Sequence, residues 1–235
     1  MDLEPAGQQI LIVLLFAHVL LDHYLPPEEG WGATPCASAL IGAVTALCFF
    51  EPAGLPAGLT VALGYAAIRR FLGGRTAQKT ASYIVAHAGV ILLLILSIGY
   101  FAGPDSGAWL SRLAGPPLQA IVILTGLLFM WWTGSNAVGL IVRDLDFEPP
   151  DAIPNAGRLI GQLERTLILF LVIAGVPSGI GFLIAAKSVL RFGDVTAEGT
   201  DNRKMAEYVI IGTLASFTFA IPVAYATAAL LQSAQ

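Results

Sequence analysis

The sequence predicts an all-α protein: a polytopic transmembrane helical bundle of about six to seven membrane segments, forming a single integral membrane domain over 1–235. Three observations carry this. Of 235 residues, 56% are apolar and only 12% are charged, whereas a soluble domain is about 25% charged. Asp, Glu, Lys and Arg are absent from 30–50, 80–104, 113–142, 166–186 and 208–235, and a helix needs roughly 20 apolar residues to cross the hydrocarbon core. Two shorter charge-free runs, 5–21 and 52–68, are near the lower limit for a span.

The first segment, about 8–25, follows Asp2 and Glu4 rather than a basic stretch. No small-residue cleavage site comes after it, so it reads as a membrane helix and not a cleavable signal peptide. The second and third, 34–50 and 54–72, are joined by EPAGLPAG, whose turn residues predict a tight antiparallel hairpin. Cys36 and Cys48 fall on one helix, roughly 18 Å apart along its axis, which excludes a disulfide between them. No CxxC redox or zinc pattern is present. The fourth segment is 80–101. The fifth, 117–142, carries Trp131 and Trp132, which, like Trp109, suit the headgroup boundary; the pair at 131–132 suits a neighbouring helix equally well. The sixth and seventh are 164–186 and 206–231. No soluble domain fits between segments, and no internal repeat of the transporter kind is evident. The net charge of −4 comes without a basic patch interleaved with aromatics, so nucleic acid is not an expected partner.

Lys and Arg set the expected orientation. None occurs in the first 68 residues; then Arg69, Arg70, Arg75 and Lys79 mark a cytoplasmic loop. Two spans later Arg143, Arg158 and Arg165 agree with it. Lys187, Arg191, Arg203 and Lys204 follow only one apolar run further on, where a simple crossing would place them outside. Either the bias fails here, Asp194, Glu198, Asp201 and Glu207 accompanying the cations, or 164–186 does not cross simply. In the second case Gly175, Pro177, Gly179 and Gly181 break it into two half-helices that enter and leave on one side, a backbone tolerated at depth only inside protein or beside water. In either case the backbone from 175 to 181 is expected to depart from regular helix.

Ionisable side chains inside apolar segments are costly and mark candidate sites. In FAHVLLD, His18 and Asp22 are spaced i, i+4 and share a helix face, expected to turn toward the protein interior; His23 lies on a different face. His87 stands in the middle of YIVAHAGVILL. If the first and fourth segments are neighbours, His18, Asp22 and His87 form a two-His, one-carboxylate set suited to a divalent transition metal. The other reading is a structural His–Asp pair, with His87 bonded to a backbone carbonyl. A second constellation is GRLIGQLERT, where Arg158 and Arg165 return to nearly one face and Glu164 opens the apolar run. Glu164 is expected within salt-bridge or one-water distance of Lys187, Arg191 or Arg203. Lys187 and Arg191, four apart near a helix end, also suit the helix dipole there. With Arg165, Arg203 and Glu207 they compose a charged cluster at segment ends, suited to a gate, an anion-binding vestibule or a structural clamp.

GRLIGQLERTLILFLVIAGVPSGIGFLIAAKSVLRFGD, followed by RKMAEYVIIGTLASF, resembles the C-terminal signature of an uncharacterised bacterial family of integral membrane proteins. AHVLLD resembles that family's His-x-x-x-Asp first helix, and His87 resembles a histidine of a later one. The resemblance implies no substrate, reaction or cofactor, and the central WWTGSNAV carries no charge. The function expected from the residues is a small-solute or ion transporter or channel in the cytoplasmic (inner) membrane, multi-pass. The alternatives are an intramembrane metal-dependent enzyme using His18, Asp22 and His87, and a non-catalytic membrane assembly or regulatory subunit. The expected partners are the lipid bilayer and either further copies of the chain or a membrane partner subunit.

Overall fold

A computed structural model of the chain describes residues 5–25, 33–49, 53–73, 80–102, 110, 114–143, 145, 155–196 and 200–234, without the side chains of 190–203. No strand occurs among the described residues. The helices are α1 (Pro5–Tyr24), α2 (Ala33–Phe49), α3 (Gly54–Ile68) continued by a π-helical turn (Arg69–Gly73), α4 (Thr80–Phe101), α5 (Pro116–Trp131), α6 (Thr133–Arg143), α7 (Ala156–Ile173), α8 (Gly179–Thr196) and α9 (Thr200–Ser233). The all-α class and the positions of the apolar segments are those the sequence predicts. Ala6–Tyr24, Thr80–Phe101, Pro116–Arg143 and Lys204–Ser233 are long and apolar enough to cross a membrane, while Thr34–Phe49 and Gly179–Val189 are shorter apolar helices. Four described helices have that length beside the six to seven segments expected: α2 and α3 are shorter helices, and 164–186 is interrupted at 174–178. At 1.5 Å per residue, the 15 residues of α3 reach roughly 22 Å of a core about 30 Å thick.

The chain groups into two compact units, Met1–Thr125 with Ala229–Gln235, and Gly126–Ala228. In the first, α2 and α3 form the expected hairpin, and they meet through their smallest residues. A Cβ added at Gly58 would stand 2.6 Å from the Gly42 carbonyl oxygen, and one at Gly42 would stand 2.7 Å from Ala62 Cβ. Such backbone-to-backbone approach is how helices associate where lipid tails are as apolar as leucine. The buried stripe of α3, Ala57, Gly58, Val61 and Tyr65, follows helical periodicity. Leu55, Leu59 and Leu63 on its other side are 73%, 64% and 71% exposed. A leucine face of this kind belongs against lipid. α4 buries His87, Val90, Leu94, Ser97 and Ile98, of which Val90, Leu94 and Ile98 pack with Ile10, Leu14, Ile41 and Val61 into the core of the unit. The same stripes that build this core carry Tyr65 and His87 into it.

In the second unit, the expected segment 117–142 is divided at Trp132. The backbone ladder is carried across it by Trp132 N–H to the Leu128 carbonyl (2.9 Å) and Asn136 N–H to the Trp132 carbonyl (3.0 Å). Segment 164–186 is broken outright, as the glycines and proline predict. Gly175 adopts φ +74°, its N–H donates to the Val172 carbonyl (3.0 Å), and Val176 N–H reaches back to the Leu171 carbonyl (2.9 Å). These two bonds around a left-handed glycine are a Schellman cap. Pro177 follows where a helix cannot continue, so it does not kink a span; it stands outside one. α8 then starts at Gly179 and folds back along α7: a Cβ at Gly179 would stand 2.7 Å from Leu171 Cδ2. Residues 174–178 at the tip are exposed.

Candidate functional site

Three of the elements of the first unit bring the sequence-predicted site together. α1 supplies His18 and Asp22, one turn apart on its inward face. His18 is 3% exposed, and the Asp22 carboxylate bonds His87 of α4, Oδ2 to Nε2 at 3.2 Å. Both residues thus face the interior, as a carboxylate on a membrane helix requires. The rings of His18 and His87 lie 5.4 Å apart between centroids. His87 Nδ1 donates to the Tyr83 carbonyl one turn earlier, at 3.0 Å. His23 is exposed, on the different face expected.

Two members of the cluster were not anticipated. Tyr65 Oη lies 3.2 Å from His18 Nδ1, and Arg69 Nη1 donates to the same Tyr65 Oη at 3.0 Å. Arg69 also donates from Nη2 to the Leu25 carbonyl at the end of α1. The readable signal was the i, i+4 spacing in YAAIR, an aromatic hydroxyl and a cation on one face at the end of an apolar run. His18, Asp22, Tyr65, Arg69, Tyr83 and His87, with Ile68, Leu72, Ala86 and Val90, line a pocket with about 30 Å³ of free space. Two buried nitrogens in this cluster, His18 Nε2 and Arg69 Nε, have no hydrogen-bond partner among the described residues.

The His18, Asp22 and His87 set is therefore assembled, with the His87–carbonyl bond of the structural reading also present. Among the described residues, no group of three His, Cys, Asp or Glu side chains is disposed to hold a metal ion.

In the second unit Lys187 Nζ and Glu164 Oε2 are 2.6 Å apart, with side chains only 14% and 12% exposed. Lys187 Nζ also sits 5.5 Å from the centre of the Phe217 ring, in cation–π range. Arg165 turns the other way. It is 2% exposed and donates from Nε to the Met130 carbonyl (3.0 Å), from Nη1 to Ser216 Oγ (3.0 Å) and from Nη2 to Ser135 Oγ (2.7 Å). Gly134 and Gly161 leave room for it, since added Cβ atoms would stand 3.3 Å and 3.1 Å from its nitrogens. None of these hydrogen bonds goes to a carboxylate. Trp131 packs on a neighbouring helix, its Nε1 donating to Thr166 Oγ1 at 2.7 Å; Trp109 lies outside the described residues. Of the expected charged cluster, Glu164 and Lys187 meet, Arg165 braces α5, α6 and α9, and Glu207 is exposed on α9. The side chains of Arg191 and Arg203 lie outside the described residues.

No known protein family, curated protein or solved structure matches the chain.

Proposed function

We propose that the chain is a small-solute or ion transporter or channel of the cytoplasmic membrane, with the pocket of the first unit as a station on its path. One observation carries this reading. A pocket framed by apolar, membrane-type helices is lined by Asp22, Arg69 and two histidines, groups that are expensive in lipid and are retained where ions or solutes pass. The pocket stands where α1 and α3 end, beside the basic stretch that opens at Arg69, and the positive-inside rule supports a mouth on the cytoplasmic side. The α7–α8 hairpin supports the same orientation, because a chain that folds back returns Lys187 and Arg191 to the side of Arg158. The resemblance to a bacterial membrane family is part of this proposal and lends it no substrate.

The test is electrical. Purified protein in proteoliposomes on a solid-supported membrane is stepped through gradients of H⁺, Na⁺, K⁺ and Cl⁻. The proposal expects a current in at least one gradient that Asp22→Asn abolishes, with gel filtration and helicity unchanged. Absence of current in every gradient would move the chain to the class of non-catalytic membrane subunits.

A further inference from the structure

We propose that the ion handled in the first unit is the proton, held by the Asp22–His87 pair and exchanged through one water seated between His18 Nε2 and Asp22. The inference rests on the transport reading above and names its substrate class.

A carbonyl oxygen can only accept, so His87 Nδ1, 3.0 Å from the Tyr83 carbonyl, carries a hydrogen. A neutral His87 then presents a bare lone pair at Nε2 to Asp22 Oδ2, 3.2 Å away. Two acceptors do not bond. The contact holds only with a second proton, either on His87 as imidazolium facing carboxylate or on Asp22 as carboxylic acid facing imidazole. In both arrangements the pair holds one exchangeable proton and is neutral overall, which is the inexpensive state for groups out of water.

Tyr65 links Arg69 to His18. Arg69 Nη1 is a donor in every state, so Tyr65 Oη accepts from it through one lone pair; in the proposed arrangement the phenol hydrogen goes to His18 Nδ1, 3.2 Å away. His18 is then neutral with its hydrogen on Nε2, and that N–H is buried with no partner in the wall of the pocket. The free space of about 30 Å³ holds a water, which needs on the order of 10–15 Å³ of such space, but not an ion with its hydration shell. A water there accepts from His18 Nε2–H and donates to Asp22, one turn along the same face of α1. Arg69, Tyr65, His18 and the water thus form a single line of donors ending on Asp22. The titratable and charged groups facing the pair are these, with Tyr83 from α4; α2, which packs on α1 and α3, has no Asp, Glu, Lys, Arg, His or Tyr within Ala33–Phe49. In the exchange, the pair first releases its proton to the water, which passes one of its own O–H protons to the solvent side; the emptied pair is refilled by the reverse step, the water taking a proton from the solvent side as one of its O–H bonds passes to Asp22. One O–H bond forms for each that breaks, and the water remains water.

Vesicles loaded with a trapped pH dye, under a potassium diffusion potential set by valinomycin, report proton entry directly. Expected is proton flux in the wild type, lost in Asp22→Asn and His87→Gln, restored at least in part by Asp22→Glu, and kept in His23→Gln, which lies outside the pocket. ¹⁵N spectra of ring-labelled histidine give the second readout: His87 protonated at both nitrogens, or at Nδ1 alone together with an infrared band of protonated Asp22 that Asp22→Asn removes. Proton flux that persists in Asp22→Asn overturns the assignment to this pair. An Asp22-dependent current of Na⁺, K⁺ or Cl⁻ without proton flux overturns the proton and leaves the transport reading standing. Silence in every gradient overturns both, and a bare His87 Nε2 facing an ionised Asp22 overturns the proton accounting whatever the flux.

Discussion

The Glu164–Lys187 contact gives the sharpest test of the second unit, because it fixes how α7 and α8 lie against each other. At 2.6 Å and an effective dielectric of about 20, the attraction is on the order of 6 kcal/mol. Desolvating the two ions offsets several kcal/mol of that, and both side chains are more than four-fifths shielded. Glu164→Gln alone removes the carboxylate from a shielded Lys187, and is expected to cost about 3–5 kcal/mol. Lys187→Met is expected to cost a similar amount. The double variant should cost less than the two singles together, with a coupling energy of roughly 2–3 kcal/mol, and the exchange Glu164→Lys with Lys187→Glu should recover part of the loss. The assay is reversible unfolding of the purified protein in mixed micelles of increasing SDS fraction, followed by circular dichroism. A coupling energy within about 0.5 kcal/mol of zero would mean that the pair is wetted like a surface salt bridge, worth roughly 0–1 kcal/mol, and would refute the account of the hairpin as locked by it.

Other expectations follow from contacts elsewhere. Gly58→Val places carbon against the Gly42 carbonyl and should destabilise the first unit by about 1–3 kcal/mol, read by the same unfolding assay. Arg165→Lys keeps a buried charge but cannot span three acceptors; losing two charge-assisted bonds should cost roughly 3–6 kcal/mol, more than the neutral Arg165→Met. Gly175→Ala should cost about 1–2 kcal/mol through its left-handed φ, whereas Ala174→Gly should cost less than 1. Single cysteines at Asn155 and Ser188, in a background lacking Cys36 and Cys48, should react with an impermeant thiol reagent from the same side of the membrane; labelling from opposite sides would refute the fold-back.

Much of the fold was legible because charge-free runs and punctuating residues are local properties. Gly175 and Pro177 announced the break in 164–186, and EPAGLPAG announced the α2–α3 hairpin. The i, i+4 spacing of His18 and Asp22 put both on one face of α1, and a single proximity, first segment to fourth, was needed to add His87. What the sequence could not show was which neutral groups meet a charge. Arg165 reads as a snorkelling or cluster residue because its partners, a carbonyl at Met130 and hydroxyls at Ser135 and Ser216, have no charge to betray them and lie up to 51 positions away. Tyr65 is silent in the sequence for the same reason: its hydroxyl acts only once the fold brings it to His18 of α1. Hydropathy also sums composition across 174–178 without registering that the chain reverses there.

That reversal bears on how the protein is made. The insertion machinery reads hydrophobicity as the chain emerges, and to it 166–186 is one uninterrupted stretch of spanning length. The folded hairpin uses the same stretch as two shorter arms. During synthesis these outcomes compete until Lys187 and Arg191 emerge, and cations that resist translocation favour retaining the second arm on the side of the first. The Gly175 cap then sets at the apex and Glu164 captures Lys187 at the base. The ion pair is therefore also a proofreading contact, able to form only in chains whose two arms have ended on one side. Chains lacking it should accumulate in the inverted, single-crossing form, a fault of biogenesis that an equilibrium measurement on the surviving folded protein would pass over.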